Sequence, residues 1–128
     1  AAKQCAQPFG VLLQSNVVAN AVNTANGIDE GGETLKGGYM MYQIFAAAGT
    51  VNKDATIKVQ DCDTAGGVYA DLLTTGVISC ANPTSGVVAL GVNAHVQQYV
   101  RWQIVLSPTA LHTATSVTFA LAFVRNYI

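Results

Sequence analysis

The residues of this chain whose types could do chemistry are few and scattered: seven acids, six bases, two histidines and three cysteines in 128 residues. Asp29, Glu30 and Glu33 fall within the glycine-rich stretch Gly27 to Gly38. Three carboxylates in a short segment are what a metal or acid–base site would use. They lack a defined ligand spacing, however, and Lys36 sits close enough to offset them, so the stretch reads as a surface loop. Asp61-Cys62-Asp63-Thr64-Ala65-Gly66 starts like a calcium loop, with Asp at the first and third positions and Gly at the sixth. Ala65 then stands where an oxygen ligand belongs and Leu72 where a bidentate Glu is required, which leaves a plain turn. His95 and His112 fall in or beside loops with no acid or nucleophile near them in sequence, so each is expected to be exposed or singly bonded. No nucleophile elbow, zinc-protease helix, phosphate-binding loop or dinucleotide fingerprint occurs. The expectation is a protein that is not an enzyme, with no catalytic residue, no cofactor and no metal.

Cys5, Cys62 and Cys80 are odd in number and widely spaced, and no CxxC occurs. Free thiols are expected and zinc is disfavoured, while a Cys62–Cys80 bridge stays open if their strands lie side by side.

Composition narrows the partners. Hydrophobic residues make up 51% and charged residues only 10%, against about 25% charged in ordinary soluble domains. The outside must therefore consist largely of Ala, Thr, Ser, Asn, Gln and Gly, a surface suited to contact. With a net charge of −1 there is no basic stripe to neutralise phosphates, which argues against direct nucleic-acid binding. The chain has no polybasic cluster, basic amphipathic helix or bilayer-length apolar run, so no membrane partner is expected. It shows no signal peptide, and the Ala-Ala start is expected from removal of an initiator Met, making intracellular synthesis the default.

The elements that must position these residues read as strands. Thr56, Lys58 and Gln60 alternate with Ile57 and Val59, and Asp61 to Gly67 turns the chain before Val68, Tyr69, Leu72 and Leu73, so Thr56 to Leu73 is a long antiparallel hairpin. Residues 1–13 form an expected N-terminal arm, kept irregular by Pro8 and Gly10, ahead of a single domain over 14–128. Gln14 to Ala25 is expected to be mostly strand. Tyr39 to Ala48 fits both a helical stripe and an alternation of Met40, Tyr42, Ile44 and Ala46; flanking glycines favour the strand, and Val51 to Ala55 then supplies a turn. Val77 to Cys80 and Gly86 to Val92 are short strands. Gln98 to Leu106 puts Val100, Trp102, Ile104 and Leu106 on one face and Tyr99, Arg101 and Gln103 on the other. Ser107 to His112 turns the chain, and Thr115 to Val124 directs Val117, Phe119, Leu121 and Phe123 inward. About eight strands and no convincing helix define an all-β antiparallel sandwich, jelly-roll-like.

Gly49-Thr50, TIKVQDCD with Gly66-Gly67 and VYADL, QYVRWQIVL, and a last apolar strand ending Val124-Arg125-Asn126-Tyr127 together resemble the small β-sandwich cement or decoration proteins of tailed bacteriophage capsids. The likeness spans Gly38 to Ile128, departs at Cys62 and does not reach Ala1 to Gly37. It implies a structural virion protein, made in the host cytoplasm, that binds the capsid exterior and clamps neighbouring capsomers after shell expansion. The implied partners are the major capsid protein and further copies of itself, as a homodimer or homotrimer. The expected interface residues are Phe9, Val11 and Leu12 of an arm that orders on a neighbour, with Tyr99, Arg101 and Tyr127. A carbohydrate- or receptor-binding module, with Tyr69, Tyr99 or Tyr127 as aromatic platforms, and another virion subunit of tail or shell are the alternatives.

Overall fold

The structure, a computed structural model, describes residues 11–19, 26–49, 53–106 and 114–126, with the side chains of 11–19, 114 and 115 left aside. Among these residues there is no helix, and nine strands run in chain order: β1 (Val11–Ala19), β2 (Ile28–Asp29), β3 (Gly38–Gly49), β4 (Asp54–Cys62), β5 (Ala70–Thr74), β6 (Ile78–Ser79), β7 (Thr84–Ala89), β8 (Tyr99–Leu106) and β9 (Ala114–Arg125). They form two antiparallel sheets, β1-β9-β3-β7 and β2-β8-β4-β5, with β6 on the far end of β4. The pairing is nested: the first strand lies against the last, the second against the eighth, the third against the seventh, and β4 against both β5 and β6. The chain thus behaves as one long hairpin, bent at β4 to β6 and folded over on itself.

Alternation explains which face of each sheet is buried. Ala55, Ile57 and Val59 of β4 are fully buried while Thr56, Lys58 and Gln60 are only partly covered, and the hairpin to β5 closes with Val59 opposite Leu73. From the other sheet, Met40, Ile44, Val117, Phe119, Leu121 and Phe123 meet them. Trp102 packs at the edge of this core with its ring 5.4 Å from that of Phe119 in an edge-to-face contact, the arrangement the ring quadrupoles favour.

Several expectations are corrected. Strand β1 begins at Val11, and Val11 and Leu12 are the Cα partners of Phe123 and Ala122; the arm boundary at residue 13 is therefore too late, because β9 offers a free edge to pair with. A bulge between Ile44 and Ala46 shifts the phase of β3, so Ala47 packs on the core and Ala46 is exposed. Gln103, on the β8 face opposite Val100 and Ile104, is nonetheless only 5% exposed, with Lys58 of β4 as its cross-strand neighbour. Strand β4 starts at Asp54 and runs through Asp61 to Cys62, shortening the turn before it and the one after it. The Gly27 to Gly38 segment is more than a loop. It holds β2, a Thr34–Val96 bridge and a continuing run of backbone bonds to residues 94–98. Phe9, Tyr127, Cys5, His112 and the Ser107 to His112 turn lie outside the described residues.

Candidate functional site

One buried cluster and the outer face of the second sheet carry most of the polar chemistry of the fold. The cluster sits where β9 ends. Continuing the inward parity of Val117, Phe119, Leu121 and Phe123 brings Arg125 to a buried position, 1% exposed. Its Nε and Nη2 donate to Glu30 Oε1 at 3.0 and 2.8 Å. Nη1 donates to the carbonyls of Gly32 and Val96, both at 2.9 Å, and to Thr34 Oγ1 at 3.2 Å, and Nη2 also donates to the Gln97 carbonyl. The planar fork of an Arg is suited to such a set of acceptors. Burial pushes the Glu30 carboxyl above its ordinary value, with the Arg125 bonds and charge opposing the shift. This cluster clamps the segment after β2 and the segment before β8 onto the end of the first sheet. Asp61, buried on β4, anchors the same region by accepting the Gln97 N–H at 2.9 Å.

On the outer face of the second sheet a polar ladder crosses three strands. Lys58 Nζ pairs with Asp71 Oδ2 at 2.8 Å, Gln60 Nε2 donates to Asp71 Oδ1 at 2.8 Å, and Arg101 Nε donates to Gln60 Oε1 at 3.0 Å. The Arg101 guanidinium carbon lies 4.1 Å from the centre of the Tyr69 ring, a cation–π distance. The Tyr69 hydroxyl donates to the Ala65 carbonyl and accepts the Gly27 N–H. Bonds from Gln60 and then Lys58 hold the Asp71 carboxyl below its ordinary value. With one ring face under a guanidinium and its hydroxyl engaged at two backbone groups, Tyr69 is poorly placed to stack a sugar. Elsewhere, His95 Nε2 and Glu33 Oε2 are 2.7 Å apart at the surface, matching the singly bonded state expected of His95.

The outer face of the first sheet is of a different kind. Strands β1, β3, β7 and β9 contain one charged residue between them, Arg125, and it is buried. Met41, Phe45 and Val87 are exposed there, and Met41, Gln43, Ser85, Ala120 and Ala122 line a shallow depression of about 210 Å³. Among the described residues the other charged side chains lie in the second sheet and in the loops.

Four of the expected interface residues fall among the described residues, and they lie on two strands of different sheets. Val11 and Leu12 lie on β1 in the first sheet, Tyr99 and Arg101 on β8 in the second. Cys62 and Cys80 are both free and buried, and burial, with Asp54 adding to it, pushes the Cys80 thiol up to about 11. Among the described residues no three His, Cys, Asp or Glu side chains are grouped so as to hold a metal ion, and no helix is long and apolar enough to cross a membrane. The Glu30–Arg125 cluster was missed from the sequence, although one signal was present: the parity of β9 places a charge among core residues, and such a charge requires a buried partner.

Searches against models of protein families and against curated proteins return no match to this chain.

Proposed function

We propose that this chain is a non-enzymatic structural protein of a bacteriophage virion, binding the outside of the expanded capsid and cementing neighbouring capsomers. The observation that carries this reading is the first sheet, a four-stranded face whose one charge is buried and which exposes Met41, Phe45 and Val87 among small residues. Faces depleted of charge suit burial against another protein. The nested strand order is compatible with a jelly roll, and in this reading the charge-free sheet lies against major capsid protein while the face that carries the polar ladder is turned to neighbouring copies. Phe9, Val11 and Leu12 extend that contact from the β1 side, with Tyr99, Arg101 and Tyr127 serving neighbouring copies.

The test is co-sedimentation of purified chain with expanded capsids stripped of it, at low and high salt. Binding that survives high salt is expected, since few charges are available to be screened. Removing residues 1–10 should weaken the binding while leaving β1 its full length. Failure of the intact chain to sediment with any shell would overturn the reading.

A further inference from the structure

Sheet edges, rather than faces, distinguish one part of this molecule from the rest. An exposed edge strand offers unpaired backbone groups to another chain, and proteins that avoid this blunt their edges with bulges, charges, Pro or short length. The other edges here are blunted, β6 by its length of two residues. Strand β1 has register shifts at Leu12/Gln14 and at Gln14/Val17, β2 is two residues long, and β5 carries Asp71 and pairs across a register shift at Val59/Gln60. Strand β7, Thr-Ser-Gly-Val-Val-Ala, has neither charge, Pro nor bulge over its six residues.

Its open groups follow from the register. The Leu90 N–H donates to the Gly38 carbonyl at 2.8 Å, and Met40, Tyr42 and Ile44 lie opposite Val88, Gly86 and Thr84. Hydrogen-bonded pairs alternate along an antiparallel ladder, so Val88, Gly86 and Thr84 bond to β3. The N–H and C=O of Ser85, Val87 and Ala89 point away from it. Their side chains are exposed as well, Val87 at 63%. No strand among the described residues pairs with that side of β7.

We propose that β7 is a homodimer interface, pairing antiparallel with β7 of a second copy about a twofold axis at Val87. In this register Val87 faces the partner's Val87, and Ser85 faces the partner's Ala89. Each is a hydrogen-bonded pair, so all three open residues are used, with about six new backbone bonds. No charge is brought against its like, and the valine pair is a favourable β-branched contact. The two first sheets become one eight-stranded sheet with a continuous charge-free outer face. The interface is isologous and therefore closes at two copies.

This inference concerns the free chain and does not depend on shell binding, so its test contains no capsid. Sedimentation velocity over a concentration series should show a dimer. Hydrogen exchange at the amides of Ser85, Val87 and Ala89 should slow as concentration rises. Val87→Lys, which blunts the edge, and Val87→Pro, which removes an N–H that β3 does not use, should each give a monomer with unchanged far-ultraviolet circular dichroism. A wild-type chain that stays monomeric, or that forms a trimer, overturns the proposal. So does a dimer that persists in folded Val87→Lys, or an exchange pattern in which those three amides remain unprotected in the dimer.

Discussion

Arg125, 1% exposed and bonded to Glu30, offers a residue-level test of the buried cluster. Replacing it by Ala strips the buried Glu30 carboxylate of its guanidinium partner and takes one donor each from the carbonyls of Gly32, Val96 and Gln97, of which Val96 keeps the Thr34 N–H. Breaking one side of a buried pair costs about 3–5 kcal/mol, so urea titration of Arg125→Ala should show a lower midpoint or an unfolded chain. The pH dependence has a definite sign. Because the folded pKa of Glu30 is raised above 4.5, the folded state takes up its proton first. Stability then rises as pH falls through the raised value toward 4.5. The wild type should therefore gain on Glu30→Gln, whose amide does not titrate, between pH 7 and 4.5. A gap that narrows instead would show the carboxyl to be held low. Asp29 and Asp71 have the opposite sign. Both are lowered from 3.8, and their contributions, present above 3.8, fade as pH falls through the lowered values. Arg101→Lys loses the flat guanidinium over Tyr69 and its Nε bond to Gln60. A stability loss of about 0.5–1 kcal/mol is expected, as for an exposed cation–π contact.

At the scale of elements, tight approaches decide which strands can pair. Gly37 leads into β3 with φ at 70°, and a Cβ there would stand 2.3 Å from the Gly91 carbonyl oxygen. Gly37→Ala combines left-handed strain with a backbone collision, so a loss of about 2–4 kcal/mol in thermal or urea unfolding is expected. Gly86 of β7 lies beneath Tyr42, whose hydroxyl would be 2.5 Å from an added Cβ. There the obstacle is the end of a side chain, which can move, so Gly86→Ala should cost less than Gly37→Ala and should be read by exchange of the β3–β7 amides. The Thr56 to Leu73 hairpin was legible because its periodicity and its turn residues agree. The bulge in β3 was not, since the sequence Ile44-Phe45-Ala46 contains nothing that marks an extra residue.

Over the whole molecule, nested pairing makes the fold depend on both ends of the chain. Strand β9 fills the place between β1 and β3 and supplies Val117, Phe119, Leu121 and Phe123 to the core. A chain ending at Leu106 should therefore lose its cooperative unfolding transition and its strand-type circular dichroism altogether. A retained transition would show that the second sheet can stand alone. Since so many pairings join distant residues, refolding should fall in the millisecond-to-second range typical of sandwiches.

Composition and periodicity by themselves determined that this chain forms an antiparallel sandwich, which residues of β4, β8 and β9 face inward, and that its surface would be poor in charge. These follow from local repetition, where two-residue alternation fixes the buried face without reference to partners. Tertiary structure alone decided that the charges are partitioned between two unlike sheets and that Glu30 meets Arg125. It likewise decided that Asp61 is buried to hold Gln97, and that β7 is the edge left unblunted. Each depends on which distant strands become neighbours, and cross-strand partners separated by most of the chain leave no periodic mark in either segment.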